Sequence, residues 1–568
     1  MFSTAQARAP EADPGDPRCY RGVLHDNPLS TYQRAILDWV YDGSGNGVVN
    51  AVAGSGKTST LKAISRVLPS RGVFLAFNKH IADELGQKLI GLNVDVSTIH
   101  SVGFRALRAK CGRSMKVESG KYLKLIRDLL REAVDGDCGM ALLESERASI
   151  KKDWPAKALR RIVDLLRLDL EPLPAGSAGF DYEASIAPIV DRHGIDLDIG
   201  LARFAGWACA RILRQGLEMV RKGEALDFTD MLWACVVLGA KPFSYSWVLC
   251  DECQDLSPAQ LSVALSCVYR NGRFLAVGDV RQAIYGFAGA DSESVARIIE
   301  TTNAARLPLN ICYRCPTSHL DMARTIVPEI EPAPWAKEGE IESIPRVEVG
   351  TLVGDGDLVL CRTTAPLIRL CFELLSKGVS ARVRGRDIGA ALLDVLDDIE
   401  KQRGFRFRDF PAQVEAWESE RVRRILKKNG GDDDDPAIQA IGDQAECLKA
   451  FHEWMMARHV PDPYYRGAVY EDGTEMQAPR PNIKALRREI EDLFSDERPG
   501  VWLSTVHRAK GLEADRVWIL RPDLLPFPYA RQPWQVVQEQ NLRYVALTRA
   551  KKSLFFIVEE PKEKKHGK

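Results

Sequence analysis

Residues 48–64 read Val-Val-Asn-Ala-Val-Ala-Gly-Ser-Gly-Lys-Thr-Ser-Thr-Leu-Lys-Ala-Ile. Apolar residues, then a loop of small residues, then a helical pattern predict a strand, a tight loop and a helix. Backbone N–H groups of such a loop cradle nucleotide phosphates, which also face the positive end of the helix. Lys57 adds a positive charge, and the Thr58 hydroxyl is a ligand for Mg²⁺. The usual pattern begins with glycine where this chain has Ala51, a small residue that still permits a tight loop. The loop itself comprises Ala53, Gly54, Ser55 and Gly56.

The composition is that of a soluble protein with several domains. The chain has 568 residues, of which 45% are hydrophobic, and equal numbers of basic and acidic residues give it no net charge. A nucleic-acid groove would therefore be a local basic surface. No apolar run reaches the ~18 residues that span a membrane, and no signal peptide opens the chain. We expect no membrane association, and a cytoplasmic location in a bacterial or phage-type system or a nuclear one in a eukaryote.

The 13 cysteines are scattered and odd in number, which indicates a reducing compartment. Two C-x-x-C pairs, Cys250/Cys253 and Cys312/Cys315, have a spacing that also occurs in zinc and iron–sulfur sites. Each pair lies in a stretch with another predicted role, and small buried cysteines are common. We interpret neither pair as a metal site.

Further strand–loop–helix units follow the phosphate loop. Residues 73–77 and 94–97 read as strands, each followed by a helical pattern, so three successive units predict a parallel sheet. Ligands bind at the carboxyl ends of the strands in such sheets. Asn78, Lys79, Thr98 and His100 lie at those ends.

An acidic pair follows the next predicted strand, residues 245–250. Asp251 at a strand end beside a phosphate loop can hold Mg²⁺ through water, and Glu252 can orient an attacking water. A polar turn is the alternative interpretation. Beyond the following strand, Gln282 could sense a γ-phosphate, and Tyr285 and Phe287 could stack on bases, although bare aromatics more often belong to a core.

Six ordered segments together resemble the UvrD/Rep/PcrA-type superfamily 1 DNA helicases. They are Ala-Gly-Ser-Gly-Lys-Thr at 53–58, Asp-Glu-Cys-Gln-Asp at 251–255, the 278–290 segment, Asn-Ile-Cys-Tyr-Arg-Cys-Pro at 310–316, Ser-Thr-Val-His-Arg-Ala-Lys-Gly-Leu-Glu at 504–513 and Tyr-Val-Ala-Leu-Thr-Arg-Ala-Lys at 544–551. The last three of these look like motifs IV, V and VI of that family. The Tyr-Arg-Cys-Pro string is closer to the F-box DNA helicase and phage-type branch, but no F-box is visible.

The resemblance implies roles for individual residues. Lys57, Thr58, Asp251 and Glu252 would form the ATP hydrolysis centre with Mg²⁺. Gln33 would read adenine by hydrogen bonds, although an isolated glutamine is more often a surface residue, and Tyr313 would stack on the base. Glu513 would accept from the ribose hydroxyl, Gln282 would couple the γ-phosphate to DNA, and Arg314 and Arg549 would act as arginine fingers. The implied DNA contacts are Phe77, Asn78, Thr98, His100, Tyr285, Phe287, Thr505 and His507.

The implied fold class is α/β, with two RecA-like P-loop parallel-sheet lobes, each interrupted by a mainly helical insertion. The first lobe, 1A, would comprise residues 23–107 and 223–308, and the second, 2A, residues 309–385 and 497–560. The segments outside the lobes would be a disordered tail at 1–22, insertion 1B at 108–222, insertion 2B at 386–496 and a basic tail at 561–568. We expect 1B to contain no strand and 2B to regulate unwinding.

Three functions are consistent with this pattern. The first is an ATP-dependent 3′-to-5′ DNA helicase or single-strand translocase, whose polarity the resemblance implies, acting in repair, recombination or replication on single-stranded or partially duplex DNA. The second keeps the ATPase but tracks RNA, since nothing in the sequence reads a 2′-hydroxyl. The third is an ATP-gated subunit of a nuclease or defence complex. We expect a monomer when the chain is alone, with a nuclease or repair factor as its protein partner.

Overall fold

The structure is a computed structural model that describes residues 29–76, 78–112, 114–153, 155–195, 197–284, 293–402, 404–428, 436–458, 481–494 and 500–559. Three of the predicted DNA contacts lie outside the described residues, namely Phe77, Tyr285 and Phe287. Both predicted tails and the acidic run at 432–435 also lie outside them.

The first half of the chain contains eight of the strands in the described residues. They are β1 (Gly47–Ala51), β2 (Gly72–Ala76), β3 (Val94–Thr98), β4 (Lys116–Val117), β5 (Ala225–Leu226), β6 (Tyr245–Cys250), β7 (Val268–Gly278) and β8 (Ala305–Leu309). The helices of this half are α1 (Thr31–Asp42), α2 (Lys57–Val67), α3 (Lys79–Lys88), α4 (Ile99–Cys111), α5 (Lys121–Asp135), α6 (Glu144–Asp153), α7 (Ala156–Leu168), α8 (Ala187–His193), α9 (Ala202–Arg221), α10 (Asp230–Val237), α11 (Pro258–Ser266) and α12 (Ser294–Thr302).

Six of these strands form one parallel sheet in the order β3-β2-β6-β7-β1-β8. β2, β6 and the last part of β7 are almost entirely buried and apolar because helices cover both faces there, as parallel sheets require. β1 lies between β7 and β8, so the phosphate loop leaves the sheet between two strands that come much later in the chain. The predicted parallel α/β lobe is confirmed.

Insertion 1B is helical from α5 to α9, but it is not free of strands. β4, inside the insertion, pairs in parallel with β5, which lies just beyond the predicted end of the insertion, and this corrects the expectation that 1B contains no strand. The pairing is only two residues long, too short to leave a periodic signal in the sequence. One buried core runs from the sheet into the insertion and includes Val248, Tyr122 and Phe204.

A buried network of charged side chains connects insertion 1B to the first lobe. Lys121 Nζ lies 2.7 Å from Asp230 Oδ2, and Arg167 lies 2.7 Å from Asp227 Oδ1 and 2.9 Å from Asp230 Oδ1. The Tyr122 hydroxyl donates to Asp230 over 2.8 Å, and the Arg167 guanidinium stacks 3.8 Å from the centre of the Tyr122 ring. All five side chains are buried, so removing one partner would leave a buried charge uncompensated.

The second half contains the remaining described strands and helices. The strands are β9 (Ile311–Cys312), β10 (Glu331–Pro332), β11 (Glu340–Pro345), β12 (Leu358–Cys361), β13 (Ala381–Val383), β14 (Val501–Thr505), β15 (Ala514–Leu520) and β16 (Ala550–Val558). The helices are α13 (Thr317–Ala323), α14 (Arg346–Leu352), α15 (Ala365–Ser376), α16 (Arg386–Glu400), α17 (Phe410–Lys428), α18 (Pro436–Arg458), α19 (Ile483–Leu493) and α20 (Pro533–Leu547).

A second six-stranded parallel sheet has the order β11-β16-β15-β12-β14-β13. Insertion 2B consists of α16 to α19 and enters between β13 and β14, two adjacent strands. The Phe372 ring of α15 stacks on the Trp454 ring of α18 with their centres 4.7 Å apart and an 8° angle between them. The core of the second half therefore includes side chains from both the lobe and the insertion.

A membrane-spanning segment would need a long helix of apolar residues. Within the described residues no helix combines the length and apolar character needed to cross a membrane.

Candidate nucleotide site and strand path

The phosphate loop lies between β1 and α2, as predicted. Gly54 and Gly56 have φ angles of +68° and +78°, in the left-handed region where glycine avoids the steric cost that other residues bear. The Ser55 side chain is 1% exposed, and its hydroxyl has no hydrogen-bond partner among the described residues. A buried hydroxyl without a partner is costly, and a phosphate oxygen would satisfy it.

Lys57 and Glu252 form an ion pair beside this loop, with Nζ 3.2 Å from Oε1. Glu252 follows β6 in a left-handed conformation, with φ of +51°, which is uncommon for a residue other than glycine. Burial alone would lower the pKa of Lys57, but Glu252, Asp279 and Asp251 outweigh it and the pKa lies above its usual value. Lys57 is therefore a fixed positive charge at the loop.

The pKa values of the two acidic residues after β6 are shifted in opposite directions. Burial and the neighbouring Glu252 carboxylate raise the pKa of Asp251 to about 7. Burial also opposes ionisation of Glu252, but Lys57 and Lys510 lower its pKa to about 2. When their environments shift the pKa values of two neighbouring carboxyl groups apart, the two groups can take different chemical roles. Glu252 is ionised and can accept a hydrogen bond from water. A nearby cation would stabilise the ionised form of Asp251.

The residues present fit Mg²⁺ held mainly by oxygen atoms from the nucleotide and water. Among the described residues no group of three or more His, Cys, Asp or Glu side chains forms a metal-binding cluster. Mg²⁺ usually keeps several waters and takes one or two carboxylates plus phosphates, so such a cluster is not required. Thr58 and Asp251 are the side chains that would hold it, and a cation there would offset the burial and the Glu252 charge that disfavour the ionised Asp251 carboxylate.

The second lobe brings Arg314 against the phosphate loop. The Tyr313 N–H donates to the Gly54 carbonyl over 2.9 Å, and a Cβ at Gly54 would lie 2.7 Å from Arg314 Cβ. Arg314 Nε lies 2.6 Å from Glu513 Oε2, and its Nη1 donates to the Thr548 carbonyl over 3.2 Å. The sequence placed Arg314 at the γ-phosphate and Glu513 at the ribose; the structure pairs them with each other.

Arg549 lies near Arg314 and is buried, with an exposed fraction of 1%. It donates to the carbonyls of Val545 (2.9 Å) and Leu512 (3.2 Å) and to the Thr548 hydroxyl (3.1 Å), all in the second lobe. Burial and the neighbouring Arg314 guanidinium lower the pKa of Arg549 to about 10, so it stays charged. Its role as an arginine finger remains a prediction.

The predicted adenine site brings Gln33 and Tyr313 together around Gly56. A Cβ at Gly56 would lie 3.8 Å from Gln33 Nε2 and 3.9 Å from Tyr313 Cδ2. The Gln33 amide donates to Thr60 Oγ1 (3.1 Å) and accepts from the Ser30 N–H (3.1 Å), so it also caps α1. Sequence reasoning missed Trp335, whose ring stacks on Tyr313 with centres 5.7 Å apart and an angle of 27°. No periodic signal marks that tryptophan.

Two further residues of the second lobe reach the first lobe across the cleft. The Tyr544 hydroxyl accepts from the Ala53 N–H over 2.7 Å and donates to Asp279 Oδ2 over 3.5 Å. Lys510 pairs with the Asp255 carboxylate and donates to the Gln282 carbonyl over 2.8 Å. Both belong to the quoted helicase-like segments, although no pattern in those segments indicated a role for either residue.

Gln282 makes hydrogen bonds to both lobes. Its side chain is 5% exposed and donates to Asp279 Oδ2 over 2.7 Å, while its carbonyl accepts from Lys510 of the other lobe. Burial raises the pKa of Asp255, against the opposing effect of Lys510, to about 6. Its Oδ1 has no hydrogen-bond partner among the described residues.

The remaining predicted DNA contacts lie at strand ends of the two sheets. Asn78 lies just beyond β2, and Thr98 is the last residue of the adjacent strand β3. Each caps the next helix: Asn78 accepts the Ile81 N–H (2.9 Å) and Thr98 accepts the Ser101 N–H (3.2 Å). Their predicted neighbour His100 lies in the first turn of α4, and burial lowers its pKa.

Thr505 and His507 lie at the carboxyl end of β14 in the second sheet. Burial and the nearby Arg362 lower the pKa of His507 to about 3, so the imidazole is neutral at physiological pH. Each sheet therefore presents polar side chains at its carboxyl edge, which is where a ligand of a parallel sheet binds.

Two family models match this chain. The model for the UvrD/REP helicase N-terminal domain matches residues 32–303, and the model for the UvrD-like helicase C-terminal domain matches residues 473–561. The chain belongs to the UvrD/REP helicase family. The two matches contain all the predicted site residues except Tyr313 and Arg314, which lie between them.

Several UvrD-like relatives match the chain along much of its length. F-box DNA helicase protein 1 of Schizosaccharomyces pombe is 23% identical over 559 residues, which cover 89% of this chain and 55% of that protein. ATP-dependent DNA helicase UvrD2 of Mycobacterium tuberculosis is 24% identical over 558 residues, covering 89% of this chain and 75% of the relative. ATP-dependent DNA helicase PcrA of Staphylococcus aureus is 25% identical over 269 residues, 44% of this chain and 33% of the relative. The chain thus spans about half the length of the fission yeast relative.

Proposed function

We propose that this chain is an ATP-dependent motor that moves 3′ to 5′ along single-stranded DNA and unwinds duplex DNA ahead of it. The observation that carries the proposal is the position of Arg314 of the second lobe against the phosphate loop of the first. A nucleotide in that cleft would contact both lobes at once. Membership of the UvrD/REP helicase family supports the choice of ATP and DNA.

The chain's own residues supply the parts that phosphoryl transfer needs. Lys57 contributes a fixed positive charge at the phosphates, and the ionised Glu252 accepts a hydrogen bond from the attacking water and so orients it. Bound Mg²⁺ would neutralise charge that develops on the phosphate oxygens. Arg314 leaves Glu513 for the phosphates when ATP arrives, and Glu513 becomes available to the ribose.

Contacts across the cleft connect this chemistry to movement of the lobes. Lys510 and Tyr544 bind first-lobe groups that are adjacent to the phosphate loop or to Gln282. A change at the γ-phosphate therefore alters contacts made by both lobes. Asn78, Thr98 and His100 on the first lobe and Thr505 and His507 on the second would hold the strand, so each closure shifts it.

The first experiment measures ATP hydrolysis with and without single-stranded DNA for wild type, Glu252→Gln and the control Glu348→Gln, whose side chain is exposed on α14. We expect DNA to stimulate wild type and the control equally. Glu252→Gln should lower turnover by about 100-fold or more, since it removes the group that orients water. Substantial turnover in Glu252→Gln would contradict the assignment of the hydrolysis centre.

Polarity and track require separate measurements. Displacement of a strand from duplexes with a 3′ or a 5′ single-stranded tail should show activity only on the 3′-tailed substrate. A matched RNA oligomer should stimulate hydrolysis less than the DNA oligomer, and equal stimulation would favour an RNA track. Strong unwinding by the purified monomer would count against a subunit that needs a nuclease or repair partner.

A further inference from the structure

Two cysteines flank the residues of the second lobe that approach the phosphate loop. Cys312 is the last residue of β9 and Cys315 lies shortly before α13, so Tyr313 and Arg314 are between them. Both cysteines are buried, with exposed fractions of 0% and 3%. A bond between the two sulfur atoms would close a small ring that contains Tyr313 and Arg314.

The two thiol groups are in contact. The Cys315 N–H donates to Cys312 Sγ over 3.5 Å, and the Cys315 thiol is within hydrogen-bonding reach of the same sulfur. Hydrogen bonds from this thiol and from backbone N–H groups, together with the Arg314 charge, lower the pKa of Cys312 to about 7, although burial opposes this. A thiolate is the reactive form of cysteine, and a second thiol beside it can complete a disulfide.

The other C-x-x-C pair of the chain has different surroundings. Burial raises the pKa of both Cys250 and Cys253, so neither forms a thiolate readily. Cys250 Sγ lies 3.8 Å from the Asp251 carbonyl oxygen, with which it can form a weak hydrogen bond. Buried cysteines in such surroundings are inert. Of the two pairs, Cys312 and Cys315 form the one with a reactive member.

The two sulfur atoms also contact the groups that hold the cleft together. A Cβ at Gly54 would lie 2.9 Å from Cys312 Sγ, so the phosphate loop of the first lobe covers this sulfur. Cys315 Sγ donates to the Thr548 carbonyl over 3.6 Å, and the same oxygen accepts from Arg314 Nη1. A disulfide would change these contacts and shift Arg314, which lies inside the ring.

We propose that Cys312 and Cys315 are an oxidation site, at which hydrogen peroxide forms a disulfide that blocks ATP hydrolysis until a thiol reductant reverses it. The inference rests on the proposed function, because separation of the lobes in the motor cycle would uncover Cys312 for a small oxidant. The site would then report the redox state of the surroundings directly to the nucleotide cleft.

The reaction has two steps that balance. The Cys312 thiolate attacks one oxygen of the peroxide, the O–O bond breaks, and the departing hydroxide takes a proton to become water. Cys312 is then a sulfenic acid. The Cys315 sulfur attacks the Cys312 sulfur, the S–O bond breaks, and hydroxide leaves with the Cys315 proton as a second water. The two thiols lose two electrons in total, and the peroxide gains them.

The first test identifies the bond in the whole chain. Wild type is treated with hydrogen peroxide, remaining thiols are blocked with N-ethylmaleimide, and the protein is digested with trypsin, which cleaves after Arg314. Mass spectrometry should find residues 307–314 and 315–324 as one linked pair, which separates on reduction. If both peptides carry the maleimide label at peroxide concentrations that stop ATP hydrolysis, the proposal is wrong.

The second test measures DNA-stimulated ATP turnover before and after peroxide, for each protein relative to its own reduced form. Wild type should lose about 100-fold, the effect of misplacing a group at the reacting phosphate by about 1 Å, and recover with dithiothreitol. Cys312→Ser should keep its turnover in peroxide. The matched control is Cys371→Ser on α15, where burial raises the cysteine pKa to about 12, and it should respond as wild type does.

The two tests separate this inference from the proposed function. A disulfide without loss of turnover, or equal loss in Cys312→Ser and wild type, would overturn the oxidation switch alone. If Cys312→Ser does not fold, the linked peptides of wild type and the recovery with dithiothreitol decide the matter. Absence of turnover in reduced wild type would overturn the proposed function, while the peptide map would still show whether the disulfide forms.

Discussion

The carboxyl group of Asp251 has a pKa close to neutral pH in the folded protein. It is buried beside a second carboxylate, Glu252, and its pKa is raised to about 7 for both reasons. An aspartate in an unfolded chain has a pKa of about 3.9. Between about pH 4 and 7 the folded protein therefore binds a proton that the unfolded chain does not, and the free energy of unfolding falls as the pH rises.

Asp251→Asn should therefore stabilise the nucleotide-free protein, and more so at higher pH. The gain in Tm over wild type should increase as the pH rises through about 5 and 6 and level off above about 7, where wild-type Asp251 is ionised in both states. Thermal unfolding followed by fluorescence across this pH range measures it. The variant should also lose ATP turnover.

Glu252→Gln is the control, because its predicted effect has the opposite sign. The pKa of Glu252 lies at about 2, below that of an ordinary glutamate, so both states are ionised across the same pH range. Its ion pair with Lys57 should stabilise the folded state at each pH, so the variant should lower Tm. Because Glu252 also raises the pKa of Asp251, this loss should become smaller as the pH rises. A constant effect of Asp251→Asn would instead show that its carboxyl group is not held protonated.

The phosphate loop contains two left-handed glycines in different surroundings. A Cβ at Gly54 would lie 2.7 Å from Arg314 Cβ and 2.9 Å from Cys312 Sγ, whereas a Cβ at Gly56 would meet nothing closer than 3.8 Å. An alanine at either position costs about 1–2 kcal/mol from its backbone conformation. Only the alanine at position 54 also pushes the second lobe away.

Gly54→Ala should therefore lower Tm by more than Gly56→Ala does. It should also lower ATP turnover, because Arg314 no longer reaches the loop. Thermal unfolding of both variants, with Gly56→Ala as the matched control, measures the difference. Equal losses of Tm would mean that the lobes do not approach each other at Gly54 as closely as the structure places them.

The elements that build this site were largely predictable from local patterns. The strand and loop around Lys57, the strand before Asp251 and the parallel sheet follow from apolar runs and turn residues a few positions apart. Asn78 and Thr98 were placed correctly at adjacent strand ends, but their capping of α3 and α4 was not foreseen. Whether they also bind DNA remains a prediction.

Contacts between distant parts of the chain were not predictable in the same way. The Ala53–Tyr544 hydrogen bond joins residues 491 positions apart, and the stack of Tyr313 on Trp335 depends on how the loop after β10 folds back. A single sequence carries periodicity and turn signals, which are local. The pairing of Arg314 with Glu513 was missed because each residue was assigned to the bound nucleotide.

At the scale of the whole molecule, each insertion shares a core with its lobe. Phe372 of the second lobe packs on Phe451 and Trp454 of insertion 2B, and Asp443 of that insertion caps α15 of the lobe. The sequence led us to expect separate inserted domains. Shared cores mean that each half of the chain should unfold as one unit.

Replacing residues 386–496 with a short flexible linker should therefore leave the second lobe misfolded. The deletion exposes apolar surface of α15 that the insertion covers, including Phe372, whose ring contacts Phe451 and Trp454 of α18. We expect loss of the near-ultraviolet circular dichroism signal of packed aromatics and binding of a hydrophobic dye. A deletion variant with native-like spectra and DNA-stimulated ATP hydrolysis would show that the insertion folds independently.

Lys157→Ala provides the control for that deletion. Lys157 Nζ lies 3.1 Å from Asp394 Oδ2, and this ion pair joins the two insertions with both side chains exposed. Exposed ion pairs contribute about 0–1 kcal/mol. The variant should keep the Tm of wild type, which separates loss of the shared core from loss of a surface contact.

The order of strands in the first sheet also has a consequence for synthesis on the ribosome. β1 is among the first strands to be made, yet it pairs with β7 and β8, which end at Gly278 and Leu309. Until those residues leave the exit tunnel, β1 has no strand on either side and the phosphate loop has no support. Nucleotide binding can therefore begin only when more than half of the polypeptide has been translated, and the nascent chain before that point is a candidate for chaperone binding.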